Sequence, residues 1–390
     1  MNDLAKWRSE FPILSNTVYL ISNSLGAMPA AAVQSLAEYA ALWASRGPRA
    51  WEERWWDLAV EMGRRVGAII GAPAGSVSMH ENVTTASAVA LSTLRPVGIR
   101  RRIVCSAMDF PSQIYLYRAL QAQGFELKIV PAGDGLSMPG ERLAAALDER
   151  TAVVAFSHVI FRSSYIVDPA PVIERAHQVG ALVLLDGYQS AGIIPVDVAT
   201  MGVDFFVGGC LKWLCGGPGN AFLFTAPWIK AERTPAITGW MAHKRPFDFD
   251  IDDAELREDG PGMMNGTPAI PAYFAALPGL DIISQVGVGR IRTASMAMTK
   301  RLIELVDEHG FTTVASRDPQ RLAGTVAVDV PHASRICQAL NKRDYVVDHR
   351  PGVGIRVSPH FYNTMDEVEA LMRELVRTVE AKDYDVERPA

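Results

Sequence analysis

Two residues in the middle of the chain have the types and the spacing for amine–carbonyl chemistry. The run Val183-Leu184-Leu185-Asp186-Gly187 reads as an apolar strand that delivers a carboxylate at its C-terminal end, the edge of a parallel sheet where ligands bind. A second apolar run, Asp204-Phe205-Phe206-Val207-Gly208-Gly209, leads to Leu211-Lys212-Trp213 and then to the Gly-rich turn 215–219. A lysine among apolar neighbours is partly desolvated and more nucleophilic. Singly, a strand-ending Asp often caps the next turn and most lysines lie at the surface. Together, an amine and a carboxylate at the ends of successive strands are what pyridoxal 5′-phosphate needs. The amine condenses with its aldehyde, and the anion keeps its ring nitrogen protonated as an electron sink.

The elements that must position this pair alternate between strand and helix. Apolar runs at 102–105, 127–130, 152–156, 181–185, 204–207 and 221–224 are apolar on both faces, which suits a mostly parallel sheet covered by helices. Between them, 112–123 and 171–178 carry apolar residues at helical spacing, the second with Pro171 in its first turn. The turn 215–219 is too short for a helical crossover, so the last two strands should be antiparallel. From about residue 285 the pattern changes to a long helix through 305, strands near 325–330 and 354–357, and a terminal helix over 366–380. The fold class expected is α/β, with a large cofactor-binding domain over 16–280 and a smaller α+β domain over 281–390. Residues 1–15 should pack on the smaller one.

Composition narrows the function. The chain has 390 residues, 49% of them hydrophobic, and a net charge of −5, which suits an ordinary globular enzyme. No block of Lys or Arg follows a phosphate backbone, so nucleic acid is not expected as a partner. No run reaches the roughly 18 apolar residues of a membrane span, and the N-terminus lacks the apolar stretch of a signal peptide. Cys105, Cys210, Cys215 and Cys337 have no framework spacing and read as reduced core thiols of a cytoplasmic protein. The eight histidines show no HExxH or paired spacing, so no metal site is expected.

Motifs spread over nearly the whole chain then match one pattern in order: Tyr19-Leu20-Ile21-Ser22-Asn23-Ser24-Leu25-Gly26, Phe110-Pro111-Ser112, His158 to Arg162, Val203-Asp204-Phe205, Gly216-Gly217-Pro218-Gly219, Gly239-Trp240, Gly266-Thr267-Pro268 and Arg356-Val357-Ser358-Pro359. With the Asp186/Lys212 pair, the sequence resembles the pyridoxal-phosphate-dependent fold type I enzymes of aminotransferase class V, and the kynureninases among them most closely. The resemblance implies that Lys212 carries the cofactor and Asp186 holds the pyridine nitrogen. It implies that Thr84 and Thr85, opening the helical run 84–94, bind the phosphate through a helix N-terminus, and that Phe110 stacks on the ring. Trp240 and Thr267 would reach the phosphate, Thr267 from the partner subunit, so a homodimer with interfacial sites is implied. Asn23, Ser24 and Arg356 would hold an amino-acid substrate, Arg356 gripping its α-carboxylate with two parallel hydrogen bonds. Trp51, Trp55 and Trp56, near Arg49, suit either the mouth of the site or the core face of a helix.

Three positions depart from the kynureninase pattern and bear on the reaction. Leu211 stands where a tyrosine usually precedes the lysine, Gln113 where the Phe-Pro-Ser motif ends in Asp, and Gln189 where a histidine follows the pyridine Asp. An Asp-x-x-Gln arrangement resembles other class V members, in which the Gln meets the phenolic oxygen of the cofactor. The resemblance implies hydrolysis of kynurenine or a related β-acyl amino acid to alanine and an aromatic acid. The alternative is another class V reaction on an amino acid: transamination, decarboxylation or β-elimination. Cysteine desulfuration would need a mobile thiol, and only Cys215 and Cys337 follow Lys212. A non-catalytic binding protein would have had no reason to keep both Lys212 and Asp186.

Overall fold

The computed structural model describes residues 4–252 and 254–384. Its first strand, β1 (Val18–Tyr19), precedes a seven-stranded sheet made of β2 (Val77–His80), β3 (Arg102–Ser106), β4 (Glu126–Val130), β5 (Thr151–Ser157), β6 (Leu182–Asp186), β7 (Phe205–Gly209) and β8 (Ala221–Thr225). The order across the sheet is β2-β8-β7-β6-β5-β3-β4. Only β8 runs against its neighbours, as the short turn before it requires. Strands β5 to β8 are buried at every position, which is why they read as unbroken apolar runs. The chain moves outward from β3 to β4 and returns to the other side of β3 as β5. That reversal opens a crevice at the carboxyl ends of β3 and β5, where open α/β sheets bind ligands.

Strand β2 is absent from the apolar runs of the sequence because Ser78 and His80 alternate with Val77 and Met79, a half-exposed pattern. It is nonetheless buried throughout. Ser78 Oγ and His80 Nε2 pair at 2.9 Å, which meets part of the polar demand of the interior, while His80 Nδ1 has no partner among the described residues.

The C-terminal part holds β9 (Thr312–Thr313), β10 (Val326–Asp329), β11 (Tyr345–Val346), β12 (Asp348–Arg350) and β13 (Gly354–Val357). Four of these form an antiparallel sheet in the order β12-β13-β10-β9, with helices Val288–Glu308, Ala333–Lys342 and Met365–Glu380. Strand β11 pairs in parallel with β1. The helix expected from about residue 285 through 305 is Val288–Glu308, and a separate helix precedes it. Ile270–Val286 stops at Gly287, whose φ of +84° breaks the ladder, and Val288–Glu308 starts anew. Position 280/281 therefore lies within the first of them. Residues 4–15 rest on the C-terminal part: Arg8 donates to Glu367 Oε1 at 2.6 Å and to the Tyr362 carbonyl at 3.1 Å, and the Phe11 ring lies 4.7 Å from that of Tyr362.

Candidate active site

A cavity of about 300 Å³ opens at the crevice, and Lys212, Asp186, Gln189, Thr84 and Phe110 all line it. Asp186 is the last residue of β6 and sits beside Ser157, the last of β5. Its Oδ1 accepts the Tyr188 N–H at 2.9 Å. Burial pushes its carboxyl up to about 6, against the pull of that N–H and of Lys212. Burial likewise pushes Lys212 down to about 7, with Asp186 opposing. The Lys212 Nζ lies 4.5 Å from the centre of the Tyr188 ring. A large fraction of Lys212 is thus a neutral amine near pH 7, ready to attack a carbonyl.

The loop carrying Lys212 is held from behind. The Gly26 N–H donates to the Leu211 carbonyl at 3.0 Å, and a Cβ at Gly26 would collide with the Lys212 carbonyl. Three residues on, Cys215 adopts a φ of +52°, uncommon for a residue with a side chain.

One end of the cavity is the start of helix Val83–Leu91, where Asn82, Val83 and Thr84 face it. Thr85 does not line it. Both its N–H, at 2.9 Å, and its hydroxyl, at 3.3 Å, turn to the Asn82 side chain. Asn82 is therefore the N-cap, and of the expected pair only Thr84 lines the cavity, together with Asn82 and Val83. Asn is a favoured N-cap, so the signal was present in the sequence. Phe110 begins helix Pro111–Leu120 with its ring 45% exposed, edge-on to Phe161 at 5.2 Å. An aromatic face left open on a pocket wall can stack on a flat ligand.

Arg356 departs from expectation. Its guanidinium is buried and already paired: Nε donates to Asp348 Oδ1 at 2.8 Å, Nη2 to Asp348 Oδ2, and Nη1 to the Phe161 carbonyl at 2.9 Å. Strand register places Asp348 directly across from Arg356 in a hairpin. Asn23 is buried, with Oδ1 taking the Ser358 hydroxyl at 2.8 Å and Nδ2 left without a protein partner. Ser24 is half-buried. Neither lines the cavity.

Trp240 and Thr267 stand apart from it too. Trp240 packs with Trp56 at 5.3 Å and Trp51 at 6.2 Å, and Thr267 is exposed. The tryptophans near Arg49 divide: Trp55 is buried against Tyr39, while Trp51 and Trp56 border a separate cavity with Phe247. A π-helical turn over Trp51–Trp55 makes this split by rotating the helix face. Of the three departures, Leu211 and Gln189 line the active-site cavity. Gln113 is buried with both amide atoms unpartnered. Sequence reasoning missed Tyr188 and Asp109. Asp109 bridges the ends of β3 and β5 by accepting from Ser106 N at 2.9 Å and Ser157 N at 2.7 Å; burial pushes it up to about 7.

These residues fit pyridoxal phosphate. A desolvated carboxylate has one oxygen without a protein donor among the described residues, which a ring N–H would satisfy. A desolvated amine, an open aromatic face and a helix N-terminus complete the set. Among the described residues no cluster of His, Cys, Asp or Glu could hold a metal.

Residues 18–371 match the family model Aminotransferase class-V. The chain belongs to that family. It is accordingly a pyridoxal-phosphate-dependent enzyme of fold type I. Among its relatives, the kynureninase of Pseudomonas fluorescens is 31% identical, covering 90% of this chain and 86% of the relative. That of Shouchella clausii (strain KSM-K16) is 30% identical, covering 94% and 90%. The fold is shared with the apo cysteine desulfurase of Thermococcus onnurineus NA1, at a TM-score of 0.83 and 22% identity over 96% of this chain and 98% of that one. A cystine C–S lyase complexed with cysteine persulfide gives a TM-score of 0.84 and 21% identity over 94% and 99%. As a class V enzyme the chain is kynureninase-like in sequence, and at these identities the solved structures speak for the fold alone.

Proposed function

We propose that this class V enzyme hydrolyses kynurenine or a closely related β-acyl amino acid, releasing alanine and an aromatic acid. The observation that carries the reading is identity of 30% or more to two kynureninases over 86–94% of the chains, on a chain whose cavity joins Lys212 and Asp186 beside an aromatic wall of Phe110 and Phe161. The bound cofactor supplies an electron sink for the substrate α-carbon. Lys212, neutral near pH 7, takes the α-proton once the substrate amine has displaced it. Asp186 would hold the ring-nitrogen proton, and the N-terminus of helix Val83–Leu91 would hold the phosphate. Arg356 would receive the α-carboxylate only by giving up its pairing with Asp348. Water adds to the side-chain ketone and the Cβ–Cγ bond breaks. With Leu211 in place of a tyrosine, Tyr188 is the phenol beside Lys212. Burial pushes its pKa up, so its hydroxyl stays protonated and can donate a hydrogen bond.

Gln113, Gln189 and Leu211 favour a second reading, another class V reaction on the same frame. Cysteine desulfuration is the least supported form of it, since all four cysteines are buried and burial pushes the Cys337 thiol up to about 11. We also propose a homodimer. Leu25, Met28 and Val33 are exposed along an apolar groove that runs behind the Lys212 loop, and Trp240 and Thr267 would serve the partner's site. A cytoplasmic location agrees with four unpaired cysteines. No helix among the described residues is long and apolar enough to cross a membrane.

The test is to load the protein with pyridoxal phosphate, add kynurenine or 3-hydroxykynurenine, and assay for alanine and the anthranilate-type acid. Product at an enzymatic rate supports hydrolysis. An intact cofactor band with no product moves the proposal to the second reading.

A further inference from the structure

Gln189 stands where kynureninases carry a histidine, and its amide has one end that accepts and one that donates. Its Oε1 accepts the Trp213 indole N–H at 3.0 Å, and its Nε2 donates to the Asn23 carbonyl at 2.9 Å. An indole N–H can only donate and a carbonyl can only accept, so the two partners together permit one orientation. Flipping the amide would set N–H against N–H and oxygen against oxygen. In the permitted orientation the second Nε2 proton is the donor left over, and Gln189 lines the cavity.

Both partners are themselves held by one short segment after β13. The Ser358 hydroxyl bonds Asn23 Oδ1 at 2.8 Å and receives the Asn23 N–H at 3.1 Å. The His360 Nε2–H bonds the Trp213 carbonyl at 2.9 Å, while its Nδ1 accepts from the Phe361 N–H. Burial pushes His360 down to about 4, so it stays neutral at working pH. Trp213 is fully buried, its ring edge-on to His360 at 5.4 Å.

We infer that Trp213 is a positioning residue: with Asn23 it locks the Gln189 amide so that its free N–H, and not its oxygen, is presented to the phenolic oxygen of the cofactor. The inference rests on the reading that Gln189 touches the cofactor. Its consequence is electronic. An N–H donated to the phenolic oxygen stabilises that oxygen as an anion. This weakens its hold on the proton shared with the nitrogen that joins the cofactor to Lys212. The lock therefore lowers the pH at which that nitrogen loses its proton. The other titratable groups facing the cavity are Asp186, Lys212 and Tyr188, and none of the variants below alters them.

The experiment is a spectrophotometric pH titration of the cofactor band in the loaded enzyme, without substrate. Trp213→Phe keeps an aromatic ring and removes the donor; its midpoint should rise by about half a pH unit or more. Gln189→Leu removes the N–H altogether and should raise the midpoint further. Trp213→His keeps a ring N–H, and a midpoint returned toward the wild-type value separates the lost donor from the lost volume. Should Trp213→Phe not fold, Ser358→Ala loosens the Asn23 anchor with Trp213 intact, and its midpoint should also rise. A raised midpoint in Gln189→Leu with none in the Trp213 or Ser358 variants overturns the lock while keeping Gln189 at the cofactor. No shift in any variant, Gln189→Leu included, overturns the underlying reading as well.

Discussion

Lys212 with Asp186 and Arg356 with Asp348 are both cation–carboxylate combinations taken out of water, and the molecule treats them in opposite ways. Arg356 and Asp348 lie across from each other on adjacent antiparallel strands. Their parallel hydrogen bonds, a third to the Phe161 carbonyl, and Arg350 at 2.9 Å from Asp348 leave little unsatisfied. Asp186 ends one strand and Lys212 follows the next, and no ion pair forms between them. A buried charge without a close partner shifts toward its neutral form, and these two move to about 6 and about 7. The satisfied pair holds β12, β13 and the Phe161 segment together. The unsatisfied pair keeps its reactivity for a ligand.

Variants at these four residues sharpen the contrast. Lys212→Ala should abolish turnover and covalent retention of the cofactor, read by assay and by absorbance after gel filtration. Asp186→Asn should keep the cofactor attached but lower turnover by at least about a hundredfold, the scale of losing one preorganised charge partner. Asp348→Asn should act on stability, costing roughly 3 kcal/mol in urea unfolding because it leaves a buried guanidinium underpaired. An unchanged unfolding midpoint there would remove the structural half of the comparison.

An effect of comparable size is a pH dependence in the cofactor-free protein. Asp186 has a folded pKa raised from 3.8 to about 6. Its contribution is therefore fully present below about pH 4 and is lost as pH rises through 6. Relative to Asp186→Asn, wild-type stability should fall by roughly 3 kcal/mol over that window. Parallel pH profiles for the two proteins would show that Asp186 is not desolvated.

The parts of this design that were legible in the sequence are local ones. The strands delivering Asp186 and Lys212 are apolar on both faces, the turn between β7 and β8 is too short for a crossover, and Phe110 is followed by a helix-starting proline. What escaped depends on how strands and side chains are set beside one another. Asp348 is tied to Arg356 by sheet register, β2 hides its polar residues by pairing them internally, and Tyr188 meets Lys212 only through the juxtaposition of β6 and β7. The Asp-x-x-Gln spacing marked Gln189 as a candidate for the cavity it lines, but not the Trp213 and Asn23 contacts that orient it. Trp240 and Thr267 carry family motifs, yet within one chain they lie outside the cavity.

The central assignment is that Lys212 is the amine that holds the cofactor. Borohydride reduction of the loaded enzyme fixes the carbon–nitrogen double bond, and peptide mass mapping then locates the pyridoxyl group. A single modified peptide with the label on Lys212 is the expected result. A label on another lysine, or none in protein that shows a bound cofactor band, would contradict the assignment.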